Sequence, residues 1–373
     1  MRVLLTGGGT AGHINPALAI AADIRRRMPD TEFLFVGATG RMETKLVPKA
    51  GYPLKTVTVE GFSRKLTPKS LMHNLTAAYH AVAAGHTCRK ILQEFRPDIA
   101  IGTGGYVSGP ILREAAKMGV PVVVHESNAL PGVTVKMLAK YASAICLPTE
   151  ESKSKMPADS CPLIVTGNPL REEFHHVDKA AARAALGLTD DKPLVLSFGG
   201  SLGARRLNEA MTEVLAESHK LHACHHIHGT GTAGWDAMSA ALAKRGIPTD
   251  SELISVRPYI DDVPLCMAAA DLVICRCGAM TISEIPACGV ASVLIPSPYV
   301  AENHQFHNAM VLVNKGAAVC IEEKDLSGEA LWQTVSELIA DPTRLAQMGQ
   351  NARRDAILDG SDRIWAVIQP LIK

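Results

Sequence analysis

The chain has 373 residues, enough for two domains that each bury a core of their own. Apolar residues make up 47% of the sequence and charged residues 20%, a composition typical of globular proteins and unlike that of disordered or fibrous ones. The net charge of +1 gives no overall electrostatic field that would attract nucleic acid.

The cysteines and the apolar runs narrow the class of protein further. Nine cysteines at irregular spacing favour a reduced, cytosolic chain, and Cys275 and Cys277 lack a second pair at zinc-ligand spacing. The sequence opens without a secretory leader, and no apolar run approaches the roughly 18 residues that span a bilayer. Any membrane contact is therefore expected to be peripheral.

The first predicted strand, 2–6, ends in a glycine-rich loop that precedes an Ala- and Ile-rich helix predicted over 16–27. The loop reads Gly7-Gly8-Gly9-Thr10-Ala11-Gly12-His13. Such an arrangement leaves backbone N–H groups unpaired at a helix start, where phosphate binds well. A tight strand-to-helix turn with no ligand remains the alternative.

The glycine spacing also fits a dinucleotide-binding fingerprint, which needs an acidic residue near the end of the second strand. That strand, predicted over 33–36, ends in Gly37-Ala38-Thr39-Gly40-Arg41 without a carboxylate. The acids nearby, Asp30 and Glu32, precede the strand. The loop therefore favours a phosphate or sugar ligand over a redox dinucleotide.

Short apolar strands alternate with helical segments up to about residue 165, which predicts a parallel, doubly wound α/β sheet. Ligands bind at the carboxyl ends of the strands in such sheets. The loops at 102–110 and 125–128 are therefore expected at the same sheet edge as His13. The predicted strands are 2–6, 33–36, 55–58, 98–101, 121–124, 144–147 and 163–166.

Gly167 and Asn168-Pro169 interrupt regular structure and predict a hinge over 166–171, after which the pattern restarts. A strand at 194–198, a glycine loop at 199–203 and a helix at 204–217 repeat the opening of the chain. Further strands are predicted at 223–228, 253–256, 271–275, 291–295 and 317–321, and helices at 234–244, 262–269, 280–288, 304–315, 326–340 and from 342 onward. Two such domains are expected to face each other across a deep cleft.

Seven loop motifs occur in one order along the chain: Gly8–His13, Gly104–Pro110, His125–Asn128, Gly167–Arg171, Gly199–Arg205, Cys277–Glu284 and Gln305–Asn308. With them, the chain resembles the undecaprenyldiphospho-muramoylpentapeptide β-N-acetylglucosaminyltransferases nearly end to end. The resemblance implies the GT-B fold, with an acceptor- and membrane-facing domain over 1–166 and a UDP-sugar-binding domain over 167–341. Helices over 342–373 are expected to return to the N-terminal domain.

The same resemblance implies the reaction and its participants. N-acetylglucosamine would pass from UDP-N-acetylglucosamine to the 4-hydroxyl of the muramoyl-pentapeptide of lipid I, with inversion, forming lipid II for peptidoglycan. The implied partners are these two substrates and an anionic membrane surface, at the cytoplasmic face of the bacterial cell membrane, and no nucleic acid.

The resemblance implies no cofactor and no metal. The sequence agrees, since it places no paired carboxylates at a strand end where a divalent ion would bridge a diphosphate. Asp261-Asp262 comes nearest, and a helix N-cap is its favoured role. The leaving diphosphate would then rely on backbone N–H groups, a helix dipole and a cation.

Donor contacts follow from the resemblance one position at a time. Sugar and diphosphate contacts are expected from Asn128, Arg171, Ser201 and Gln305, and the uracil edge from Ile260. The other expected donor contacts are Thr10, Ala11, Gly12, Ala279, Met280, Thr281, Ile282, Ser283 and Glu284.

Three positions depart from the family pattern: Ala11 replaces a commoner glycine, and Leu202 and His304 stand where glutamine is common. Because Leu202 donates no side-chain hydrogen bond, hexose discrimination is expected to rest on Gln305 and Asn308. Glu284 is expected to bind the ribose hydroxyls, and the alternative is that it closes a capping box with Thr281.

The base that accepts the proton of the acceptor hydroxyl is expected to be His13, directly after the glycines. An imidazole in water titrates near pH 6.5, which suits this role. Glu126, beside His125, is the competing candidate. A helix-start hydrogen-bonding role for His13 is the alternative.

The 33 residues between Glu60 and Glu94 contain no acid, although they carry several cations and histidines beside apolar residues. This pattern predicts contact with anionic lipid head groups, through Arg64, Lys65 and Lys69 in particular. An ordinary core stripe with a solvated cationic face is the alternative. Acceptor contacts are also expected at Gly104, Gly105 and Tyr106. The other basic residues and histidines between the two acids are His73, His80, His86, Arg89 and Lys90.

Two rival functions remain open. A UDP-N-acetylglucosamine 2-epimerase would use the same nucleotide loops without a lipid acceptor. A nicotinamide-binding oxidoreductase would use the dinucleotide fingerprint, and the missing acid after Val36 counts against it.

Overall fold

The structure is a computed structural model that describes residues 1–59, 84–200 and 202–372. It divides into two compact units. Unit 1 comprises Met1–Pro169 and Asp359–Lys373, and unit 2 comprises Leu170–Leu358.

Unit 1 is built on a seven-stranded parallel sheet with the order β3-β2-β1-β4-β5-β6-β7. The strand order reverses between β1 and β4, which is where ligands bind in sheets of this kind. The strands are β1 Arg2–Thr6, β2 Glu32–Ala38, β3 Leu54–Val57, β4 Ile99–Gly102, β5 Val122–His125, β6 Ala144–Leu147 and β7 Leu163–Val165.

Helices cover both faces of this sheet, so strand residues alternate between two buried clusters. Leu4 of β1 belongs to one cluster, while Val3 and Leu5 belong to the other. This two-sided burial explains why the strand sequences are continuously apolar. The helices are α1 Ala11–Arg27, α2 Glu43–Lys49, α3 over 84–95, α4 Ser108–Lys117, α5 Val133–Leu138 and, after unit 2, α14 Gly360–Ile368.

Helix α1 begins five residues earlier than the predicted start at Pro16. Its buried residues Ile14, Ala17, Ile20 and Ile24 recur at helical spacing and pack in one cluster against the sheet. Pro16 lies inside the helix, where it offers no N–H to the carbonyl of Gly12. The sequence pattern therefore predicts a start at the proline, although the helix already begins at Ala11, within the glycine loop.

Unit 2 repeats this architecture around a six-stranded parallel sheet with the order β10-β9-β8-β11-β12-β13. The strands are β8 Leu194–Phe198, β9 His225–Gly229, β10 Ile254–Arg257, β11 Leu272–Cys275, β12 Ala291–Leu294 and β13 Ala318–Cys320. The helices are α6 Lys179–Ala185, α7 Arg205–Leu221, α8 Trp235–Ala243, α9 Val263–Ala269, α10 Ala279–Cys288, α11 His304–Val313, α12 Gly328–Ile339 and α13 Pro342–Arg354. The prediction of two doubly wound α/β domains is confirmed, and the fold is GT-B.

The boundaries of the units differ from the predicted segments. The first division falls between Pro169 and Leu170, inside the predicted hinge, rather than after residue 166. Helix α13 stays with unit 2, because Leu345 and Met348 are buried in the unit 2 core. The return to unit 1 begins at Asp359 rather than at residue 342.

Helix α14 completes unit 1 by packing beside α1. Ile364 and Ile368 are buried in the same cluster as Ile20 and Ile24. The guanidinium of Arg27 lies 2.5 Å from the Asp362 carboxylate. The last segment of the chain is thus an integral part of the first unit.

Candidate functional site

The glycine loop of unit 1 lies between β1 and the start of α1, next to the point where the strand order reverses. Thr103, directly after β4, donates its hydroxyl to the backbone carbonyl of His13 at 2.6 Å. Its backbone N–H bonds the carbonyl of Thr6 at 2.9 Å. Thr103 therefore ties the end of β4 both to the end of β1 and to the first turn of α1.

The His13 ring is fixed by the loop itself. Its Nδ1 lies 3.0 Å from the carbonyl oxygen of Gly8. A carbonyl oxygen can only accept, so Nδ1 carries the proton and Nε2 is left with a lone pair. The residues that the structure describes provide no hydrogen bond to Nε2, and the ring is half-buried. This is the tautomer that can accept a proton at Nε2.

Gly104 and Gly105 pack directly on this assembly. A side chain on Gly104 would come within 2.8 Å of the His13 ring, and one on Gly105 within 2.4 Å of the Gly8 carbonyl oxygen. Both have positive φ, 104° and 85°, which glycine adopts without strain. The neighbouring Tyr106 is 65% exposed. These three predicted acceptor residues thus lie at the edge that carries His13.

Thr10, Ala11 and Gly12 form the start of α1 and are at least partly exposed. Thr10 occupies the N-cap position, and its side chain makes no capping hydrogen bond. The N–H groups of Ala11 and Gly12 in this first turn therefore receive no side-chain acceptor from the cap. The arrangement suits a phosphate or a sugar hydroxyl.

Glu126, the competing base, is occupied by its own loop. One carboxylate oxygen accepts the backbone N–H and the side-chain amide of Asn128, at 2.8 and 3.0 Å. The other accepts the N–H of Gly132 at 2.9 Å, and the residue is 4% exposed. Glu126 therefore stabilises the conformation of the loop after β5 by bonding Asn128 and Gly132.

His125, at the end of β5, is completely buried, and burial lowers its pKa to about 4. Its Nε2 lies 3.2 Å from the Gly167 carbonyl, so Nε2 carries the proton. The neutral ring therefore links the loop after β5 to the end of β7.

Unit 2 contains a cavity of about 160 Å³ at the carboxyl ends of β8, β9 and β10. Phe198, Tyr259 and Ile260 supply apolar walls, while Arg171 and Glu284 supply charge at one side. Glycines at 200, 229 and 231 let the backbone approach the cavity closely. Flat apolar walls with one carboxylate suit a heterocyclic base joined to a polyol.

Helix α10 brings Glu284 to this cavity. The helix begins at Ala279, and its N-cap is Gly278, so Thr281 and Glu284 lie too far into the helix to form a capping box. Met280, Ile282 and Ser283 complete the predicted clamp on the first two turns. The capping alternative for Glu284 is thereby excluded.

Gln305 and Asn308, on α11, both bond the loop before α10. The Gln305 side-chain oxygen accepts the N–H groups of Cys277 at 3.2 Å and Ser297 at 2.9 Å. Its amide nitrogen makes no hydrogen bond within the described part of the chain. Asn308 is buried and donates to the Cys277 carbonyl at 3.1 Å. Asn308 therefore supports the loop, whereas Gln305 keeps a donor for a ligand.

The second glycine loop, 199–203, precedes α7. Gly203, at φ 80°, lies so close to the Thr230 carbonyl that a side chain would meet it at 2.0 Å. Leu202 is 74% exposed, and the expected diphosphate contact Ser201 lies outside the described residues. Helix α7 has Ala204 at its N-cap and no side-chain capping bond.

No group of three or more His, Cys, Asp or Glu side chains that could hold a metal occurs among residues 1–59, 84–200 and 202–372. Asp262 occupies the N-cap position of α9, as predicted, although its side chain makes no capping hydrogen bond.

Comparison with known proteins identifies the family. The model of the glycosyltransferase family 28 N-terminal domain matches residues 3–147, and that of the C-terminal domain matches residues 194–364. The chain belongs to glycosyltransferase family 28.

Relatives from this family match the chain over its whole length. A UDP-N-acetylglucosamine–N-acetylmuramyl-(pentapeptide) pyrophosphoryl-undecaprenol N-acetylglucosamine transferase from Acetivibrio thermocellus is 42% identical, covering 100% of this chain and 99% of that protein. The crystal structure of MurG from Acinetobacter baumannii is similar, with a TM-score of 0.80, 28% identity and 99% of both chains covered.

One solved structure bears on a rival function. The UDP-GlcNAc 2-epimerase from Neisseria meningitidis, bound to UDP-GlcNAc, has a TM-score of 0.63 at 14% identity and covers 99% of this chain and 100% of that one. At this identity the likeness shows a shared fold alone. The membership in family 28 favours a glycosyltransferase.

The predicted membrane residues Arg64, Lys65 and Lys69 lie outside the described residues. The end of the acid-free segment forms α3, where Ala84, Cys88, Ile91 and Leu92 are buried in the core. Arg89 bonds the Glu114 carboxylate at 3.0 Å. Within α3, therefore, the apolar residues belong to the core, whereas Leu71, Leu75 and Val82, the core stripe of the alternative, lie outside the described residues.

Among the described helices of this family 28 protein, none is both apolar enough and long enough to cross a membrane.

Two features of the site were missed from the sequence. The aromatic lining by Phe198 and Tyr259 required the fold to bring β8 and the loop after β10 together. Glu43, at the start of α2, is fully buried beneath the glycine loop. Its signal in the sequence was the pair Gly8 and Gly37, which lack side chains where the Glu43 carboxylate passes.

Proposed function

We propose that the protein transfers N-acetylglucosamine from UDP-N-acetylglucosamine to the 4-hydroxyl of the muramoyl-pentapeptide of lipid I, with inversion, to form lipid II. The full-length 42% identity to a transferase of that name carries the choice of substrates. The cavity of unit 2, with its apolar walls and mostly buried carboxylate, supplies a site of the right chemistry for the nucleotide.

Unit 2 is the proposed donor domain. Phe198 and Ile260 would enclose the uracil, and Glu284 would accept hydrogen bonds from the ribose hydroxyls. The loop before α7 and the first turn of α10 offer backbone N–H groups for the diphosphate. Arg171, half-exposed at the rim of the cavity, adds the cation.

Gln305 is the proposed hexose contact in unit 2. Because its side-chain oxygen already accepts two backbone N–H groups, only its amide nitrogen can serve the ligand. It would therefore donate to a sugar hydroxyl or to the acetamido carbonyl oxygen. This fixed orientation gives the contact a defined direction.

Unit 1 is the proposed acceptor domain, with His13 as the base. In the transfer step, the acceptor oxygen forms a bond to the anomeric carbon while the bond from that carbon to the UDP oxygen breaks. The electron pair leaves with UDP, and the acceptor proton moves to Nε2 of His13. The Nδ1–H bond to Gly8 supports this assignment, because it keeps Nε2 unprotonated.

The lipid substrate requires a membrane surface. We assign the contact to the acid-free segment, with Arg64, Lys65 and Lys69 facing anionic head groups at the cytoplasmic face. The balanced net charge of the whole chain supports a local basic contact rather than a general affinity for polyanions such as nucleic acid.

Competitive ligand binding tests the donor assignment against the rival functions. UDP is expected to bind in the micromolar to millimolar range, and NAD and NADP to compete with it poorly. Tight dinucleotide binding with no response to UDP would instead favour the oxidoreductase. The epimerase rival is separated by whether donor turnover requires lipid I.

A further inference from the structure

Glu43 and His13 bond opposite sides of one peptide group in the glycine loop. The Glu43 carboxylate accepts the N–H of Gly9 at 3.0 Å. The carbonyl of Gly8, which belongs to the same peptide, accepts the Nδ1–H of His13 at 3.0 Å. In a trans peptide the C=O and the N–H point in opposite directions, so the two side chains hold this unit between them.

The loop is shaped around the Glu43 side chain. Glu43 is fully buried, and its second carboxylate oxygen accepts the N–H of Ala38, at the end of β2, at 2.8 Å. A side chain on Gly8 would come within 2.2 Å of the carboxylate, and one on Gly37 within 2.5 Å of the Glu43 chain. Two glycines therefore make room for one buried acid.

Both carboxylate oxygens of Glu43 face backbone N–H donors, so the site matches an ionised carboxylate. A glutamine would present an NH₂ group to one of these donors. The negative charge polarises the Gly8–Gly9 peptide and makes the Gly8 carbonyl a stronger acceptor. A stronger acceptor in turn holds Nδ1 protonated and favours the positive charge that forms when Nε2 takes up a proton.

We infer that Glu43 is a positioning residue for His13, acting through the Gly8–Gly9 peptide. It sets the Nδ1–H tautomer and increases the affinity of Nε2 for a proton. The inference deepens the proposed function, on which the role of His13 as the base rests. The effect of Glu43 on the His13 ring does not depend on which substrate the protein uses.

Among the described residues, the acid and the histidine at the end of β5 are engaged elsewhere, and Tyr106 after β4 is 65% exposed. Glu126 accepts three N–H groups of its own loop, and His125 is buried against the Gly167 carbonyl. The residues after β4 that touch the His13 ring or backbone, Thr103 and Gly104, carry no charge. Within the described part of the chain, Glu43 is the carboxylate linked to the ring through a hydrogen-bonded peptide.

The direct test is the nitrogen NMR spectrum of the His13 ring. In the wild-type protein Nδ1 is expected to be protonated at pH 8. Protonation at Nε2 in the wild type would overturn the inference without any variant. In Glu43→Gln the share of the Nε2–H tautomer should rise, and the ring titration should shift to lower pH.

Kinetics give a second readout. Glu43→Gln should lower kcat by up to about 100-fold, as loss of a positioning contact does, while the donor KM changes little. The acidic limb of the pH dependence of kcat should shift to lower pH. Glu43→Asp keeps the charge and should recover the Nδ1–H tautomer and part of kcat.

Glu114→Gln is the matched control, since Glu114 is also a buried carboxylate of unit 1 but bonds the side chains of Lys117 and Arg89. This variant should leave the His13 spectrum unchanged. An unchanged His13 tautomer and titration in folded Glu43→Gln would contradict the inference even if transfer is confirmed. Absence of transfer in the wild type, with the coupling intact, would instead contradict the proposed function alone.

Discussion

The guanidinium of Arg171 approaches the carboxylate of Glu284 only to 4.0 Å, between Nη2 and Oε1. Glu284 has a side chain that is 12% exposed, and burial raises its pKa, while the charge of Arg171 opposes that rise. The described residues offer this carboxylate no hydrogen bond. An acid that is mostly removed from water and incompletely paired is well prepared for hydroxyl donors from a ligand.

Replacing Glu284 by alanine should weaken donor binding. Hydrogen bonds to a charged acceptor are worth roughly 1.5–3 kcal/mol each, so the donor KM should rise by about tenfold to several hundredfold. The wild type should bind UDP more tightly than its 2′-deoxy analogue, and the variant should lose this preference. Isothermal titration with both nucleotides measures the effect.

Glu337→Ala provides the control for the Glu284 variant, because Glu337 lies on α12 of the same unit, away from the cavity of Arg171 and Glu284. Its UDP affinity should equal that of the wild type. If Glu284→Ala binds UDP normally and only melts at a lower temperature, Glu284 has a structural role and the ribose contact lies elsewhere.

The two candidate bases should respond differently to substitution. His13→Ala should lower kcat by roughly 10²–10⁴, with little change in UDP affinity, as expected for loss of a positioned base. Glu126→Ala leaves three N–H groups without an acceptor and should mainly lower the melting temperature. Steady-state kinetics and thermal melts on both variants decide between them. A severe kcat loss in Glu126→Ala beside a mild one in His13→Ala would move the base to Glu126.

Buried histidines should make the protein unstable to mild acid. Burial lowers the pKa of His226 and His228 to about 3, and that of His125 to about 4. Because an unfolded histidine titrates near pH 6.5, the stabilisation is complete above that pH and is lost as the pH falls below it. Each contributes a slope approaching about 1.4 kcal/mol per pH unit.

Urea unfolding between pH 7.5 and 5 measures this slope. The variant His226→Gln can still bond the Ser218 hydroxyl, which His226 contacts at 2.8 Å. It should reduce the slope of the unfolding free energy against pH by nearly the contribution of one titrating group. A free energy of unfolding that does not change over this range would show that these rings are accessible to protons in the folded state.

Much of the fold could be predicted because its strands are apolar on both faces and end in glycine or polar loops. The sequence pattern, for example, predicts β1 at residues 2–6 and β8 at residues 194–198, and the structure has both strands at those residues. The residue at which unit 1 ends could not be predicted as closely from the sequence. Asn168 is held in unit 1 by its bond to the Ser127 carbonyl at 3.1 Å, a contact across 41 residues that no local pattern encodes.

In the candidate site, too, some residues could be placed from the sequence and others could not. Gly104, Gly105 and His13 could be placed at one sheet edge from strand order alone. The role of Glu43 could not, because its bond to Gly9 joins residues 34 positions apart and its position resembles an ordinary helix-start acid. The hydrogen bonds to both carboxylate oxygens of Glu126 could not be predicted either, because one of them depends on the turn that brings the Gly132 N–H close to the Glu126 side chain.

The basic residues of the acid-free segment should provide membrane binding. Replacing Arg64, Lys65 and Lys69 together by glutamate should weaken binding to phosphatidylglycerol vesicles, since each cation near such a surface is worth about 1 kcal/mol. Vesicle sedimentation measures this, and turnover of a water-soluble acceptor analogue should be largely retained. The matched control, Lys153→Glu in unit 1, should bind vesicles as the wild type does. Unchanged binding of the triple variant would show that the segment is a solvated face.

The most direct measurement of the central claim is sugar transfer by the purified protein from UDP-N-acetylglucosamine to a lipid I analogue. We predict that UDP release and a β-linked disaccharide product appear together, in equal amounts, and only when the acceptor is present. Appearance of UDP-N-acetylmannosamine without acceptor, or donor left intact with acceptor present, would contradict the account.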